Sequence, residues 1–274
     1  LAYGAKNLSF GPDYIIPKPI DSRLISTVSP AVAKAAIESG VAKIKITDWD
    51  SYKTELDNRL GKDNKLMKTL AAKAKSNPKR VVFTEADTYK ILKAAQVVND
   101  EGIAKPILLG KKSKINALIE EFSLDLHDVP VIDPYSDEEE GQRNAFAELL
   151  WKKRQRKGMT LYDCKKAMRE RNYFGSMMVE TGLADAMISG LTRKYSGTLI
   201  PALHSIGVAD GNKLVAGLYI MITKKGPYFF ADTTMNINPT AEELVEITLL
   251  AANTIRQFNI VPRIALLSYT NFGS

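Results

Sequence analysis

The sequence is poor in the residues that hold small extracellular or metal-bound domains together. It has one cysteine, Cys164, so no disulfide can close within the chain. Its two histidines, His127 and His204, lie far apart, and with so few soft ligands a structural zinc site is not expected. No apolar run approaches the roughly 20 residues of a membrane-spanning helix. The first residues, Leu1-Ala2-Tyr3-Gly4-Ala5-Lys6, lack the apolar stretch of a secretory signal and do not start with Met. The expectation is a protein of a reducing compartment, a bacterial-type cytoplasm, and a piece of a longer one, with no membrane association.

What is present suits a folded protein. Of the 274 residues, 45% are hydrophobic and 25% charged, which supplies a sizeable core and excludes a wholly disordered tail. The net charge of +7 is unevenly spread. Residues 1–80 hold 15 Lys/Arg against 8 Asp/Glu, and residues 81–274 hold 23 of each. A uniformly basic nucleic-acid-binding domain has a different distribution, so no nucleic-acid partner is expected.

Two textures follow along the chain. Up to about Arg23 the sequence is punctuated by Pro12, Pro17 and Pro19 and reads as extended or looped. Ser29 then stands as an N-cap, Pro30 as a first helical residue and Gly40 as a terminator. Two further helices are read over residues 48–60, ended by Gly61, and 63–76. From Asn77 onward strands and helices alternate. Strands are expected at 81–83, 106–110, 129–132 and 186–189, with helices at 88–100, 115–122, 137–157, 161–173 and 195–206. Lys224-Lys225-Gly226-Pro227 between two apolar runs marks a hairpin and the entry to a second lobe. A helix over 241–258 and a buried strand over 264–268 complete the reading. Repeated βα units imply the α/β class, with a largely parallel sheet covered by helices.

Two loops carry the chemistry that stands out. Ser268-Tyr269-Thr270-Asn271-Phe272-Gly273-Ser274 follows a strand with hydroxyls and a glycine able to converge on a phosphate. Ser189-Gly190-Leu191-Thr192-Arg193-Lys194-Tyr195-Ser196-Gly197-Thr198 does the same with two cations and two glycines. The alternatives are an ordinary turn for the first and a solvated loop before a helix for the second, but strand carboxyl ends are where open α/β sheets bind ligands. The run Lys152-Lys153-Arg154-Gln155-Arg156-Lys157 reads as a solvated helix end, with ligand contact by one of its cations left open as the alternative. Asp87 is assigned to helix capping, and Glu85 is left open as structural or acid/base. Asp232 and its following threonines form a polar loop of low specificity. Cys164 and His204 are read as packing or surface residues.

The order Phe10-Gly11-Pro12-Asp13-Tyr14-Ile15-Ile16-Pro17-Lys18-Pro19, then Asp21-Ser22-Arg23-Leu24-Ile25 and the helix to Gly40, resembles the C-terminal edge of bacterial NADP-dependent malic enzymes. Arg80 to Asp87 with Ile91-Leu92-Lys93-Ala94-Ala95, Gly102 to Gly110, Ala184 to Gly190, Thr198 to Leu203 and Leu267 to Ser274 resemble phosphotransacetylases. Together they are similar to the long malic enzymes that carry a phosphotransacetylase-like domain. The resemblance implies two parts, residues 1–61 from the edge of the dehydrogenase domain and its linker, and residues 62–274 from a phosphotransacetylase-like domain incomplete at its end.

It also implies function. The parent would oxidise (S)-malate with NADP⁺ and Mg²⁺ or Mn²⁺, releasing pyruvate and CO₂, with those sites and the catalytic residues before Leu1. No cofactor and no catalytic residue is expected in this stretch itself. The added domain would respond to acetyl-CoA and assemble the homo-oligomer, at least a dimer. Expected ligand-binding residues, for acetyl-CoA or phosphate, are Ser268, Thr270, Gly273, Ser274, Thr192, Arg193, Lys194 and Arg154. Where phosphotransacetylases have Arg before Pro-Ala-Leu, this chain has Ile200, and Lys90 stands for a second family Arg. Arg154 matches a third, and the family's Ser-Arg pair falls outside the sequence. Ile offers no donor where a guanidinium would grip phosphate. The alternatives are an active phosphate acetyltransferase and a non-catalytic dimerisation module.

Overall fold

The computed structural model describes residues 15–16, 23–59, 65–223 and 226–267. The chain divides into two compact units, Leu1–Lys65 with Ile222–Gly226, and Leu66–Met221 with Pro227–Ser274. In the first, α1 (Arg23–Glu38) packs on α2 (Trp49–Arg59). Helix α1 begins seven residues before the expected Pro30, which lies inside it and is buried. Proline at that position removes one backbone N–H donor from the helix. Gly40, with φ of 75°, ends the turn as expected. Asp48 accepts the N–H groups of Asp50 and Ser51, which caps α2. The terminator expected at Gly61 lies outside the described residues.

The second unit opens with α3 (Lys65–Ser76) and then β1 (Lys79–Phe83), α4 (Tyr89–Asp100), β2 (Ala104–Leu109), α5 (Lys112–Glu121) and β3 (Val131–Ile132). After a 3-10 turn come α6 (Glu140–Arg154), α7 (Leu161–Ala167), α8 (Arg171–Glu180), β4 (Ala186–Ile188) and α9 (Tyr195–Ser205). The four strands form one parallel sheet in the order β3-β2-β1-β4, with Val82 opposite both Ile107 and Met187.

Successive strand residues point to opposite faces, and both faces are covered. Val82 and Leu109 enter a core with Phe146, Leu150, Met168, Phe174 and Met177 from α6 to α8. Phe83 and Leu108 enter a second core with Leu92, Ala95, Ile115 and Ile119 from α4 and α5. The result is a helix–sheet–helix sandwich, the α/β class expected from the alternation. Gly175 lets α8 approach closely, because a Cβ there would lie 2.9 Å from the Met187 sulfur and 3.1 Å from Thr84 Cγ2.

Two expectations need correction here. The single helix read over residues 161–173 is two helices, and the second runs on to Glu180. The break occurs because the Glu170 carboxylate accepts the N–H groups of Asn172 and Tyr173 and so caps a new helix. Strands β5 (Leu218–Thr223) and β6 (Gly226–Ala231) pair in a separate two-stranded sheet, and α10 (Ala241–Arg256) follows with a Thr240/Glu243 capping box. The buried strand expected at 264–268 is not seen: residues 264–267 are irregular, and Leu267 is 84% exposed. A strand exists only through a hydrogen-bonded neighbour, and among the described residues none runs beside this one.

Candidate functional site

The chain leaves β1 toward β2 and β3 on one side and later returns to β4 on the other. The sheet therefore has its topological switch between β1 and β4, the usual crevice for a ligand in an open α/β sheet. Glu85, two residues past β1, fills that crevice. It is 2% exposed, and its carboxylate accepts the N–H groups of Gly190 (2.8 Å), Leu191 (2.7 Å) and Thr192 (2.8 Å). The Thr192 hydroxyl donates to the same group. Burial pushes the Glu85 carboxyl up, but these donors outweigh it and hold the group below the usual carboxylate range. Gly190, with φ of 119°, supplies the backbone turn that lines up successive N–H groups.

In the loop singled out from the sequence at 189–198, the backbone donors of residues 190–192 are taken by the protein's own acid. Thr192 is engaged there and not open to an outside ligand. Asn172, 1% exposed, ties the two ends of the same loop, accepting from the Ser189 hydroxyl at 2.9 Å and donating to the Gly197 carbonyl at 3.0 Å.

Beside this loop, a cavity of about 420 Å³ opens at the carboxyl edge of the sheet. Each strand contributes one residue shortly after its end: Asp87, Lys111, Asp133 and Arg193, with Arg171 from the start of α8 and Tyr135 completing the wall. Asp87 does not cap α4 as expected. Its carboxylate meets Arg171 Nη1 at 2.5 Å and Lys114 Nζ at 3.5 Å. Burial raises the Asp87 carboxyl, and the two cations bring it below the ordinary value. Lys111, Asp133, Tyr135 and Arg171 were not singled out from the sequence. The first three could have been found by asking which residues directly follow each strand.

Arg154 sits elsewhere. It lines a cavity of about 550 Å³ with Lys153, Lys157, His204 and the apolar Ile200, Leu203, Ile206 and Val208. None of these residues lines the sheet-edge cavity. Arg154 Nε is buried without a hydrogen-bond partner among the described residues. His204 accepts or donates at Nδ1 to the Tyr173 hydroxyl, 2.8 Å away. Burial, then the charges of Arg154 and Lys157, lower the His204 pKa and favour a neutral ring. Lys153 donates to the Ser205 carbonyl at 2.8 Å and pairs with Glu180.

Lys194 is the exposed N-cap position of α9. Ser268, Thr270, Gly273 and Ser274 lie outside the described residues. Cys164 is buried in the core, as its packing reading required. Asp232 organises its own turn, accepting N–H groups from Gly217, Thr234, Met235 and Asn236. Among the described residues no three His, Cys, Asp or Glu side chains gather to hold a metal ion, and no helix is long and apolar enough to cross a membrane.

Comparison with known proteins gives this geometry a family. The phosphate acetyl/butaryl transferase family matches residues 65–274. An NADP-dependent malic enzyme of Escherichia coli (strain K12) is 40% identical over the whole chain, which spans 36% of that protein's length. A phosphate acetyltransferase of Bacillus subtilis (strain 168) is 36% identical over 76% of the chain and 64% of its own length. The crystal structure of a phosphotransacetylase from Streptococcus pyogenes superposes with a TM-score of 0.69 at 33% identity, covering 77% of this chain and 64% of that one. With the parallel sheet, the glycine-turned loop after β4 and the family match all falling in one stretch, the chain belongs to the phosphate acetyl/butaryl transferase family.

Proposed function

We propose that this chain is the C-terminal part of an NADP-dependent malic enzyme, and that its phosphotransacetylase-like domain is an acetyl-CoA-responsive regulatory and oligomerisation module. The observation that carries this reading is the extent of the similarity. The E. coli malic enzyme matches the entire chain, including the first 64 residues that the transferase family does not reach. The complete protein would oxidatively decarboxylate (S)-malate to pyruvate and CO₂ in the cytoplasm. NADP and Mg²⁺ or Mn²⁺ would serve that chemistry outside this stretch. Among the described residues no acidic cluster is placed to hold a divalent ion.

For acetyl-CoA, the cavity around Arg154 has suitable chemistry. Three cations, Lys153, Arg154 and Lys157, share it with Ile200, Leu203, Ile206 and Val208, so phosphates and an apolar thioester arm both find matching walls. Ile200 weakens the rival reading of an active phosphate acetyltransferase. It stands in this cavity where the resemblance calls for an Arg, and an alkyl side chain cannot bind a phosphoryl oxygen. Arg193 and Lys194 are the second candidate seat.

Calorimetry on the complete protein tests these readings, comparing Arg154→Ala with Lys157→Ala against Arg193→Ala with Lys194→Ala. Weakened acetyl-CoA binding in the first pair alone assigns the effector to the Arg154 cavity. Malate-dependent NADP⁺ reduction, measured with and without acetyl-CoA, tests the regulatory role. Allosteric coupling is typically ~1–3 kcal/mol, so an effect of about 5–150-fold on affinity is expected. No effect of acetyl-CoA overturns the regulatory reading, and robust acetyl phosphate formation would favour the transferase. Light scattering should give at least a dimer.

A further inference from the structure

We propose that anion binding in the cavity around Arg154 is coupled to protonation of His204, which makes the effector seat a pH sensor as well. The inference rests on the acetyl-CoA reading only for the identity of the anion. The cavity, about 550 Å³, has Lys153, Arg154 and Lys157 in its wall and no carboxylate among its lining residues. Two donors there are unmet. Arg154 Nε and the hydroxyl of the fully buried Ser205 have no hydrogen-bond partner among the described residues. Buried polar groups are ordinarily paired, so a wall with unmet donors and cations is one that an anion completes.

His204 lies in α9, against α8 and the end of α6, and the titratable groups around it divide by element. From α8 comes the Tyr173 hydroxyl, 2.8 Å from Nδ1, and from α6 and the turn after it come Lys153, Arg154 and Lys157. Glu180 of α8 pairs with Lys153, and Glu170 caps α8. Burial, then the Glu170 charge, push the Tyr173 phenol up, and burial holds the nearby Cys164 thiol protonated. The Tyr173 hydroxyl therefore keeps its proton and can turn to donate to a neutral ring or accept from a charged one.

Burial, then Arg154 and Lys157, favour the neutral state of His204. An anion in the cavity would offset those two charges and favour the imidazolium, which adds a cation to the site. By linkage, an anion that eases protonation binds more tightly once the ring is protonated. The bound ring has the higher pKa. The added affinity is therefore complete below the free ring's pKa and is lost as the pH rises through the bound one.

Titrating His204 by NMR in the full chain, without ligand and with sulfate or acetyl-CoA, tests the coupling. His127→Gln identifies which of the two histidines is read. Sulfate keeps its charge throughout, whereas the phosphomonoester of acetyl-CoA titrates in the same range and would blur an affinity profile. Both anions are expected to raise the His204 pKa and leave His127 unmoved. At constant ionic strength, sulfate affinity should fall about tenfold from about pH 5 to about pH 8, where an imidazole changes charge. His204→Gln should abolish that fall; if it unfolds the chain, the wild-type ring titration decides alone. A His204 pKa that neither anion moves, or a ring already charged near neutral pH in the free protein, overturns the proposal. Acetyl-CoA binding lost in Arg154→Ala but without a His204 shift overturns the coupling and keeps the seat. A shift with sulfate and none with acetyl-CoA supports the coupling and overturns acetyl-CoA as the anion.

Discussion

The four-stranded sheet and the later hairpin are both built from apolar strands, yet they end in opposite environments. In the sheet, Val82, Phe83, Leu108 and Leu109 are fully or almost fully buried, each face being covered by helices. In the hairpin, Tyr219, Met221, Ile222, Tyr228 and Phe230 are exposed, although Phe229 stacks 5.7 Å from Phe258. The same β propensity serves both, so propensity is not what buries a strand. Burial comes from the neighbours that cover its faces, and only the sheet has two such layers. Sequence periodicity reports a strand's preference and says nothing of its coverage.

Truncating one ring in each region should give the largest difference between them. Phe174 is 1% exposed and packs edge-on to Phe146 at 5.1 Å. Phe174→Ala should cost about 4 kcal/mol by lost transfer energy and the cavity left behind. Phe230→Ala on the hairpin should cost roughly 0.5 kcal/mol, as exposed substitutions do. Denaturant melts of the two variants check this, and equal losses would mean that the hairpin's exposed face is covered in solution.

A somewhat smaller loss is expected at the crevice. Glu85→Gln leaves the donors of residues 190–192 facing an amide that can accept with one oxygen only. The cost should be about 3 kcal/mol, the scale for unpairing buried charge-assisted bonds. The folded Glu85 carboxyl titrates below its ordinary value of 4.5. Its contribution is therefore complete above that pH and is lost as the pH falls through the folded value. The wild-type protein should lose more stability on acidification than the variant, and parallel pH profiles would remove Glu85 as the loop's anchor.

Gly175→Ala sets local preference against packing. Alanine is favoured over glycine in a helix by about 1 kcal/mol, so a helix in isolation would gain. In α8 the added methyl would overlap the Met187 sulfur and crowd Thr84. Overpacking of this kind costs ~1–3 kcal/mol, so a net loss of about 1 kcal/mol is expected. A gain in melting temperature would show that α8 can lift from the sheet at little cost.

These positions also mark how far the sequence could be read. The βα alternation, the two-sided strands and the loop after β4 were legible because each depends on local pattern. The break between α7 and α8 was missed because the cap of α8 is a glutamate, an unusual cap whose role appears only once Glu170 meets the N–H groups of Asn172 and Tyr173. The exposed run at 264–267 reads as a buried strand because its apolar composition carries no information about a neighbour. At the site, Arg193 was visible in its loop. Arg171 was not, because its partner Asp87 lies 84 residues away and only the fold brings them together. The engagement of Thr192 by Glu85, over 107 residues, was hidden for the same reason.

The smallest expected effect lies at the other end of the β1–β4 pairing. There Asp185 accepts from the Arg80 N–H at 2.8 Å and meets the Arg80 guanidinium at 2.9 Å, joining the start of β1 to the residue before β4. Hydrogen bonds from the Arg80 side chain and backbone hold the Asp185 carboxyl down, from 3.8 to about 2. With a lowered folded pKa, the pair's contribution is complete above pH 3.8 and fades as the pH falls toward about 2. Both side chains are substantially exposed, so water and salt screen the pair and its contribution is slight. Asp185→Asn should therefore weaken the protein measurably less than Glu85→Gln, although both acids clamp the same two strands. The difference from wild type should shrink in high salt and vanish near pH 2. If the two substitutions proved equally harmful at neutral pH, β4 would depend on both ends of its pairing alike, and burial would not be what distinguishes the two clamps.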